Sequence, residues 1–210
     1  MSTPRNLLIS ALLASATGAE AASTVNLAVN GLIVPSACTP TLSHGGEVDY
    51  GKVAARDLNL NTITPLPYVK LQLAVNCEAA TLFALKGIDN RPGTTYEARS
   101  FGLGIINGTE KVGGYYTILN NASADGRALT PIGSSDGGAT WQAPTDGNLW
   151  WFASDLAAFG NNASGAVAPV PIQTLSSDLL VRGYIGAAVT LTLTEEQPID
   201  GAMTAEVFYL

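Results

Sequence analysis

Few residues of this chain could do chemistry, and their surroundings do not suit catalysis. The only histidine, His44, lies in a Ser-His-Gly-Gly loop, and no Gly-x-Ser-x-Gly motif presents a serine nucleophile. Glycoside hydrolysis needs two placed carboxylates, whereas the candidates lie in turn-like, solvated contexts: Asp125, Asp136, Asp146 and Asp155. No Gly-rich stretch connects a strand to a helix, so no phosphate-binding loop is predicted. We therefore expect a protein that is not an enzyme and uses no cofactor.

The N-terminal residues have the pattern of a secretory signal. Arg5 supplies the positive charge, residues 7–16 form a short apolar run, and Ala19-Glu20-Ala21 fits the small-x-small rule for cleavage. The run is too short to span a bilayer, and no later segment is a candidate transmembrane helix. We expect residues 1–21 to be removed, which leaves 210 − 21 = 189 residues, exported to an oxidising compartment.

Cys38 and Cys77 are the only two cysteines of the chain. In an oxidising compartment this even count predicts a disulfide. Such a bond would close a loop of 77 − 38 = 39 residue steps and stabilise the fold by about 3–4 kcal/mol in the chain-entropy model. Two free buried thiols are the alternative. A metal site is disfavoured, because a closed site needs about four ligands and His44 has no partner histidine.

Composition limits the fold and the kinds of partner. A chain of 210 residues with 47% hydrophobic residues can build one good-sized core, and nothing marks a second domain. Charged residues make up only 13%, a balance more typical of secreted β-proteins than of cytosolic enzymes. The net charge of −7 and the scattering of the ten basic residues argue against nucleic acid as a partner.

Apolar residues recur at every second position along much of the chain, which is the periodicity of β-strands. In the clearest segment, residues 69–76, one face carries Val69, Leu71, Leu73 and Val75. Further alternating segments span residues 82–86, 101–105, 114–119, 179–184 and 189–194. Turn-forming sequences lie between them at residues 89–93, 107–108, 125–126 and 136–138. Many short strands with regular turns predict an all-β sandwich.

Residues 134–141, Ser-Ser-Asp-Gly-Gly-Ala-Thr-Trp, match the Asp-box pattern of sialidases and related β-propellers. In this motif the aspartate accepts hydrogen bonds across a tight turn, and the glycines supply the unusual backbone angles. Propellers repeat the motif once per blade, whereas here it occurs once. A single copy predicts a local hairpin at Asp136 rather than a catalytic fold.

The segment from residue 120 to residue 168 is rich in Gly, Ala, Asn and Ser and is less regular. We expect long hairpin loops and a pair of edge strands here, with the tryptophans covering one end of the sandwich. Two interpretations of the tryptophans are open: packing in the core or at its rim, or a sugar-stacking surface made of Trp141, Trp150 and Trp151.

Several segments resemble the pilin subunits that the chaperone–usher pathway assembles. Residues 31–38, Gly-Leu-Ile-Val-Pro-Ser-Ala-Cys, resemble the Gly-x-Ile/Val-x-x-x-x-Cys signature at the start of such subunits, and residues 48–53 resemble their Leu-Gly-x-Val motif. A second cysteine such as Cys77 and a next-to-last tyrosine such as Tyr209 also match. More narrowly, the chain is similar to a family of uncharacterised proteobacterial fimbrial-like proteins. The resemblance covers roughly residues 22–90 and 175–210.

This resemblance implies an immunoglobulin-like sandwich, here residues 35–210, that lacks its final strand and so leaves an apolar groove and an unpaired sheet edge. A periplasmic chaperone lends a strand, and the N-terminal extension of the next subunit later replaces it. Residues 22–34 would be that extension, with one face made of Val25, Leu27, Val29, Gly31 and Ile33. Burial of its four aliphatic side chains would contribute about 6–12 kcal/mol gross. The alternative is the first strand of a self-contained sandwich.

Two features depart from a major pilin. Major pilins usually have a glycine near the start of the extension, where this chain has the bulkier Val25. We expect this difference to affect the efficiency or the direction of the exchange in which one donated strand replaces another. The mature chain is also longer than a typical major pilin, which favours a minor subunit.

The C-terminal residues predict a further strand. Met203, Ala205, Val207 and Tyr209 share one face, and the other face carries Thr204, Glu206, Phe208 and Leu210. Apolar residues on both faces over residues 207–210 predict burial on two sides. The resemblance implies that this strand, with Leu210, lines the groove and that basic residues of the chaperone hold the terminal carboxylate. An ordinary last core strand is the alternative.

We therefore expect a structural subunit of a chaperone–usher fimbria that polymerises by donor-strand complementation, first in the periplasm and then at the cell surface. Its partners would be the periplasmic pilus chaperone, the outer-membrane usher and neighbouring subunits. The alternative is a secreted or periplasmic β-sandwich module that binds carbohydrate or another surface, as a tip adhesin does.

Overall fold

The computed structural model describes residues 25, 27–30, 37–161 and 167–210. The chain divides into two compact units, Met1–Ile33 and Val34–Leu210. In the first unit, the described residues belong to no helix or strand, and Val25, Leu27 and Val29 are 95%, 88% and 86% exposed.

Some predictions made for the N-terminal residues lie outside the described residues. These are the signal peptide of residues 1–21 and the placement of Gly31 and Ile33 in the donor extension.

The described residues of the second unit form thirteen β-strands and three short 3-10 helices. The helices are Ser43–Gly46, Ala55–Asp57 and Ala188–Thr190. The strands, in chain order, are β1 (Cys38–Leu42), β2 (Thr64–Thr81), β3 (Phe83–Asp89), β4 (Phe101–Gly102), β5 (Ile105–Ile106), β6 (Glu110–Lys111), β7 (Gly113–Ala124), β8 (Arg127–Ala128), β9 (Thr130–Ser134), β10 (Leu149–Trp151), β11 (Leu156–Gly160), β12 (Ile172–Ile185) and β13 (Met203–Tyr209). None of these helices is long and apolar enough to cross a membrane.

The strands form two principal antiparallel sheets. The large sheet has the order β1-β2-β12-β7-β10, and the short strands β4 and β8 also pair with β7. The small sheet has the order β13-β3-β11-β9, and β5 and β6 form a separate two-stranded sheet. Strand β2 passes directly into β3 through Leu82, so the chain changes sheet within one residue.

The core lies between the two sheets. The large sheet contributes a row of buried side chains from each of its central strands, among them Leu73, Leu119 and Leu179. The small sheet contributes Phe83 and Phe159 to the same cluster. Its other face is also covered, because a second cluster contains Ala84, Ile132, Leu156 and Ala158, with Trp141, Ala143 and Val167 packed against them.

The predicted all-β sandwich with one disulfide is confirmed. Cys38 and Cys77 are bonded, and they are direct partners in the register of β1 and β2. The predicted inward row of residues 69–76 is also correct, since Leu71, Leu73 and Val75 are buried and Val69 is partly so. The predicted turns carry positive φ angles, for example at Asn107 and Gly108 between β5 and β6.

Some strand predictions are wrong. Residues 189–194 form no strand: a 3-10 helix ends at Thr190, and Thr192 bonds to the side chain of Glu110 instead of to a neighbouring strand. The strand predicted at residues 101–105 is interrupted at Gly104, which has a φ of 89° and separates β4 from β5. Alternation alone cannot supply a pairing partner.

The irregular segment from residue 120 contains the expected pair of edge strands, since β9 and β10 lie at the edges of the two sheets. It also contains β11, which the sequence analysis missed. All five residues of β11 are buried, and its sequence, Leu-Ala-Ala-Phe-Gly, has no alternation because both faces of the strand are covered.

Candidate functional site

The last strand, β13, has one edge that pairs with no other described strand, and we call it the free edge. It pairs with β3 on one side, with Tyr209 opposite Phe83 and Met203 opposite Asp89. Leu210 N donates to Leu82 O, which assigns the even-numbered residues to the hydrogen bonds with β3. The odd-numbered residues of β13 therefore direct their backbone N–H and C=O groups away from β3. No other described residue accepts or donates to those groups.

The inward side chains of this strand are incompletely covered. Met203, Ala205 and Val207 pack against the core but are only partly buried. By contrast, Phe83 and Leu85 of the adjacent β3 are at most 2% exposed. A further strand beside β13 would therefore find both backbone partners and apolar surface.

The prediction that residues 207–210 are buried on both sides is wrong. Phe208, Tyr209 and Leu210 are exposed, and Val207 is partly exposed. Because β13 is the edge strand of its sheet, Phe208 and Leu210 on its outward face lie outside the second core cluster and stay exposed. Tyr209 still contributes to the position of the strand, because Cys38 N donates to its hydroxyl oxygen at 3.1 Å.

A cavity of about 670 Å³ lies between two segments that belong to no sheet. One wall is formed by residues 48–58 and includes Val48, Tyr50 and Val53. The other wall is formed by residues 191–199 and leads along the chain into β13. The buried side chains of Ile106, Val112 and Ile185 also line the cavity. No residue of β13 lines this cavity, but the second wall leads into β13 along the chain, and we call the cavity, its two walls and the free edge of β13 together the open groove.

Tyr50 holds the first wall in place. Gly183 N of β12 donates to its hydroxyl oxygen at 2.8 Å. Burial raises the pKa of Tyr50, and the Gly183 hydrogen bond partly offsets the rise. A side chain at residue 183 would meet the Tyr50 ring at about 3.1 Å, so a glycine permits this close approach.

Glu110 of β6 holds the second wall. Thr192 N donates to one carboxylate oxygen at 2.6 Å, and the Thr192 hydroxyl donates to the other at 2.8 Å. The backbone N–H of Thr192, with help from Asn107, lowers the pKa of Glu110 below its usual value. The alternation of Leu191 and Leu193 predicted a strand here. Instead of pairing with a neighbouring strand, the segment donates its hydrogen bonds to the Glu110 carboxylate.

Among the described residues, one ion pair joins the two walls. Lys52 Nζ lies 2.6 Å from Glu196 Oε1, and both side chains are almost fully exposed. Exposed ion pairs contribute little stability, because water screens them and two long side chains lose entropy. The walls are therefore weakly held together at this point.

The three tryptophans do not form one surface. Trp151 is only 2% exposed, and its Nε1 donates to Asp155 O at 3.1 Å. Trp141 packs against the second core cluster. Trp150 alone is widely exposed, at 42%. The proposed sugar-stacking surface of three tryptophans is therefore wrong, because successive residues of β10 point to opposite faces of the sheet.

The Asp-box residues form the predicted local turn. Asp136 Oδ1 accepts hydrogen bonds from the Ser134 hydroxyl at 2.7 Å and from Thr140 N at 2.9 Å, and its Oδ2 accepts from the Thr140 hydroxyl. Gly137 and Gly138 have φ angles of 75° and 96°. The chain then returns to pair Gln142 with Gly133 of β9. The motif closes a hairpin.

These hydrogen bonds give the Asp136 turn a pH dependence that can be measured. Thr140 and Ser134 lower the pKa of Asp136 far below its ordinary value. The ionised Asp136 carboxylate makes its full contribution to folding stability above the unfolded-state pKa of about 3.9. This contribution is lost as the pH falls towards the lower folded-state pKa. We expect Asp136→Asn to lower the thermal midpoint at pH 7, with a difference from the parent that shrinks as the pH falls from about 4 to 2.

Thermal unfolding followed by circular dichroism across this pH range checks the expectation. Glu195→Gln is the control, since it removes a negative charge from an exposed side chain outside the turn. A difference between Asp136→Asn and the parent that is the same at pH 7 and pH 2 would contradict it.

Comparisons with known proteins find similarity to one protein family and to two proteins of Escherichia coli. Residues 27–122 match a family described as "Protein of unknown function (DUF1120)". The chain is 26% identical to Protein GltF of Escherichia coli K12 over 222 aligned residues, which cover 88% of this chain and 87% of that protein. It is 27% identical to the uncharacterized protein YhcF of the same organism, over 97% of this chain and 98% of that protein. These similarities agree with the predicted likeness to a family of unknown function.

The sequence analysis missed several residues of the open groove. Glu110 and Thr192 are 82 positions apart, so no local pattern could join them. Tyr50 lies inside the Val-Asp-Tyr-Gly-Lys-Val segment that drew attention to this wall, but nothing there predicted its bond to Gly183. Lys52 and Glu196 are likewise distant in sequence.

Proposed function

We propose that this protein is a structural subunit of a chaperone–usher surface fibre and that a strand from a neighbouring molecule completes its fold. The observation that carries the proposal is that no described strand pairs with the free edge of β13. There, unpaired backbone groups and the partly buried side chains of Met203, Ala205 and Val207 lie along one edge.

The strand order supports this proposal. In the immunoglobulin fold one sheet has the order A-B-E-D and the other the order C-F-G. The large sheet follows the first order if β1, β2, β12 and β7 are strands A, B, E and D. In the small sheet, β3 and β13 take the positions of C and F. No described strand takes the position of G, which is where a donated strand would pair.

The first unit offers a suitable donor. Val25, Leu27 and Val29 alternate with smaller or polar residues and are almost fully exposed. If a neighbouring molecule buried these three side chains in its open groove, the gain would be about 5–9 kcal/mol gross, at roughly 1.5–3 kcal/mol each. Main-chain hydrogen bonds to β13 would add to this gain.

The resemblance at residues 31–38, the disulfide and the position of Tyr209 support the same class of protein. The route follows from the class: a signal peptide of residues 1–21, a periplasmic chaperone that covers the open groove, an outer-membrane usher, and neighbouring subunits at the cell surface. The length of the chain favours a minor subunit.

Complementation by a peptide tests the proposal. We expect the chain that starts at residue 35 to aggregate when it is expressed alone, because its groove is open. A synthetic peptide of residues 22–34 is expected to restore a soluble monomer, measured by size-exclusion chromatography with light scattering. The peptide with Leu27→Asp should fail. The peptide with Asn30→Asp should succeed, because it has the same charge change on the opposite face.

A truncated chain that is soluble, monomeric and unaffected by the peptide would contradict the proposal. If the Leu27→Asp and Asn30→Asp peptides restored the soluble monomer equally well, the proposal would also be contradicted, because complementation would then not depend on the apolar face of the peptide.

A further inference from the structure

The outer face of the large sheet carries a second candidate site, separate from the open groove. On this face, β10 presents Trp150 and β7 presents Tyr116 and Asn120, while Asn148 lies directly before β10, two residues from Trp150. Neighbouring positions of one face are about 7 Å apart along a strand. An exposed indole therefore lies beside a pair of asparagines.

The exposed aromatic group is held in a defined orientation. The Tyr116 and Trp150 rings are 5.6 Å apart and almost perpendicular, and the Phe152 ring lies 6.5 Å from Trp150 and nearly parallel to it. The Arg99 guanidinium lies 4.1 Å above the Phe152 ring and forms an ion pair with Asp155. Trp150 remains 42% exposed although these neighbours fix its position.

The asparagines border a cavity of about 470 Å³. Asn120 Nδ2 donates to Asn148 Oδ1 at 2.8 Å, and Asn148 N donates to Asp146 Oδ1 at 3.0 Å. Asn121 and Thr130 add an amide and a hydroxyl to the lining. The volume lies within the range of about 300–1,000 Å³ that is typical of small-molecule sites.

One acceptor in the wall of this cavity has no donor. Asn120 Oδ1 is covered by the protein and forms no hydrogen bond with any described residue. Nearly all buried polar groups in folded proteins are paired, because an unpaired one loses its bonds to water without replacement. In its present position the atom is out of reach from the cavity, so a ligand hydroxyl would pair with it only after the Asn120 amide turned towards the cavity.

The charges beside the cavity disfavour an anionic ligand. Asp146 lines it, and its pKa is lowered by the backbone N–H of Asn148, so the group remains ionised. Asp178, opposite Asn120 in the neighbouring strand, accepts hydrogen bonds from Asn121 and Lys70, so this lysine is already paired. None of the residues that line the cavity is basic.

We propose that this face binds a neutral pyranose sugar of a glycan, with the sugar ring against Trp150 and its hydroxyl groups in the cavity beside Asn120, Asn148 and Asp146. A pyranose has both an apolar C–H face and several hydroxyl donors, which are the two properties that the site matches. The site is independent of the open groove, so it does not depend on how the subunit polymerises.

Binding of the full chain to an array of neutral and acidic glycans tests the assignment. The neutral set would end in glucose, galactose, mannose or N-acetylhexosamines, and the acidic set in sialic or uronic acids. We expect binding to members of the neutral set, competed by the same sugar free in solution. Trp150→Ala and Asn120→Ala are each expected to weaken binding at least tenfold, and Trp150→Phe to restore part of it.

Leu60→Ala is the matched control, because Leu60 is a large, exposed apolar side chain elsewhere and is 63% exposed. It should bind as the parent does. If Asn120→Ala fails to fold, Asn148→Ala replaces it, with the thermal midpoint as the check on folding. Binding to acidic glycans alone, no binding to any neutral glycan by a folded chain, or binding unchanged in Trp150→Ala would each overturn the proposal.

Discussion

Replacement of Val207 by aspartate is expected to abolish complementation by the peptide of residues 22–34. Val207 lies on the inward face of β13, beside the free edge, and is only partly buried without a partner. An added strand would complete its burial. A carboxylate at this position would lose the apolar gain and would have to be desolvated, a penalty of at least about 2 kcal/mol. That penalty corresponds to about thirtyfold in the dissociation constant.

Phe208→Asp is the matched control for this prediction. Phe208 is the next residue of the same strand, points to the opposite face and is exposed in the unpaired state. The same charge there should change peptide affinity by less than threefold. Peptide binding followed by fluorescence anisotropy, with the peptide-free thermal midpoint of each variant recorded separately, distinguishes lost affinity from lost folding. Equal losses in the two variants would contradict a groove on the inward face.

Replacement of both Cys38 and Cys77 by alanine is expected to lower the free energy of unfolding by about 3–4 kcal/mol. The bond links residues 39 positions apart and closes the pair of β1 and β2 at its first position. Strand β1 is the edge of the large sheet and pairs only with β2, so after the bond is lost its other hydrogen bond to a described strand would be the one from Cys38 N to the Tyr209 hydroxyl of β13. The N-terminal wall of the open groove follows β1, so its position should loosen as well.

Urea unfolding of the full chain at pH 7 measures this loss. The parent chain treated with a reducing agent is the control for the double variant, since both lack the bond but only one lacks the sulfur atoms. The two should lose similar stability. A loss below about 1 kcal/mol in both would show that contacts within the sheets already restrict β1.

The sequence predicted the fold best where a short local pattern was enough to define a strand or a turn. Alternation identified the long strands β2 and β12, because along most of each strand one face is buried and the other is more exposed. Asp125-Gly126 and Asn107-Gly108 identified turns through their tolerance of positive φ angles. The cysteine pair followed from the inferred compartment.

The predictions failed where the environment of a segment decided its structure. Residues 189–194 alternate as a strand does, but Glu110 accepts their hydrogen bonds and no strand lies beside them. Strand β11 was missed for the opposite reason, because burial on both faces removes alternation. Trp150 and Trp151 are neighbours in sequence, yet one is on the surface and the other is in the core.

The sequence by itself determined an all-β chain with one disulfide, a hairpin at Asp136 and apolar alternation near both ends, because these depend on residue type and short spacing. Only the tertiary structure decided that β13 is the edge strand of the small sheet, and that Asn120, whose Oδ1 accepts from no described residue, shares a sheet face with Trp150. Such features arise from contacts between residues that are far apart in the chain. A period of two specifies which side chains share a face, but it carries no information about what lies beyond the edge of the sheet.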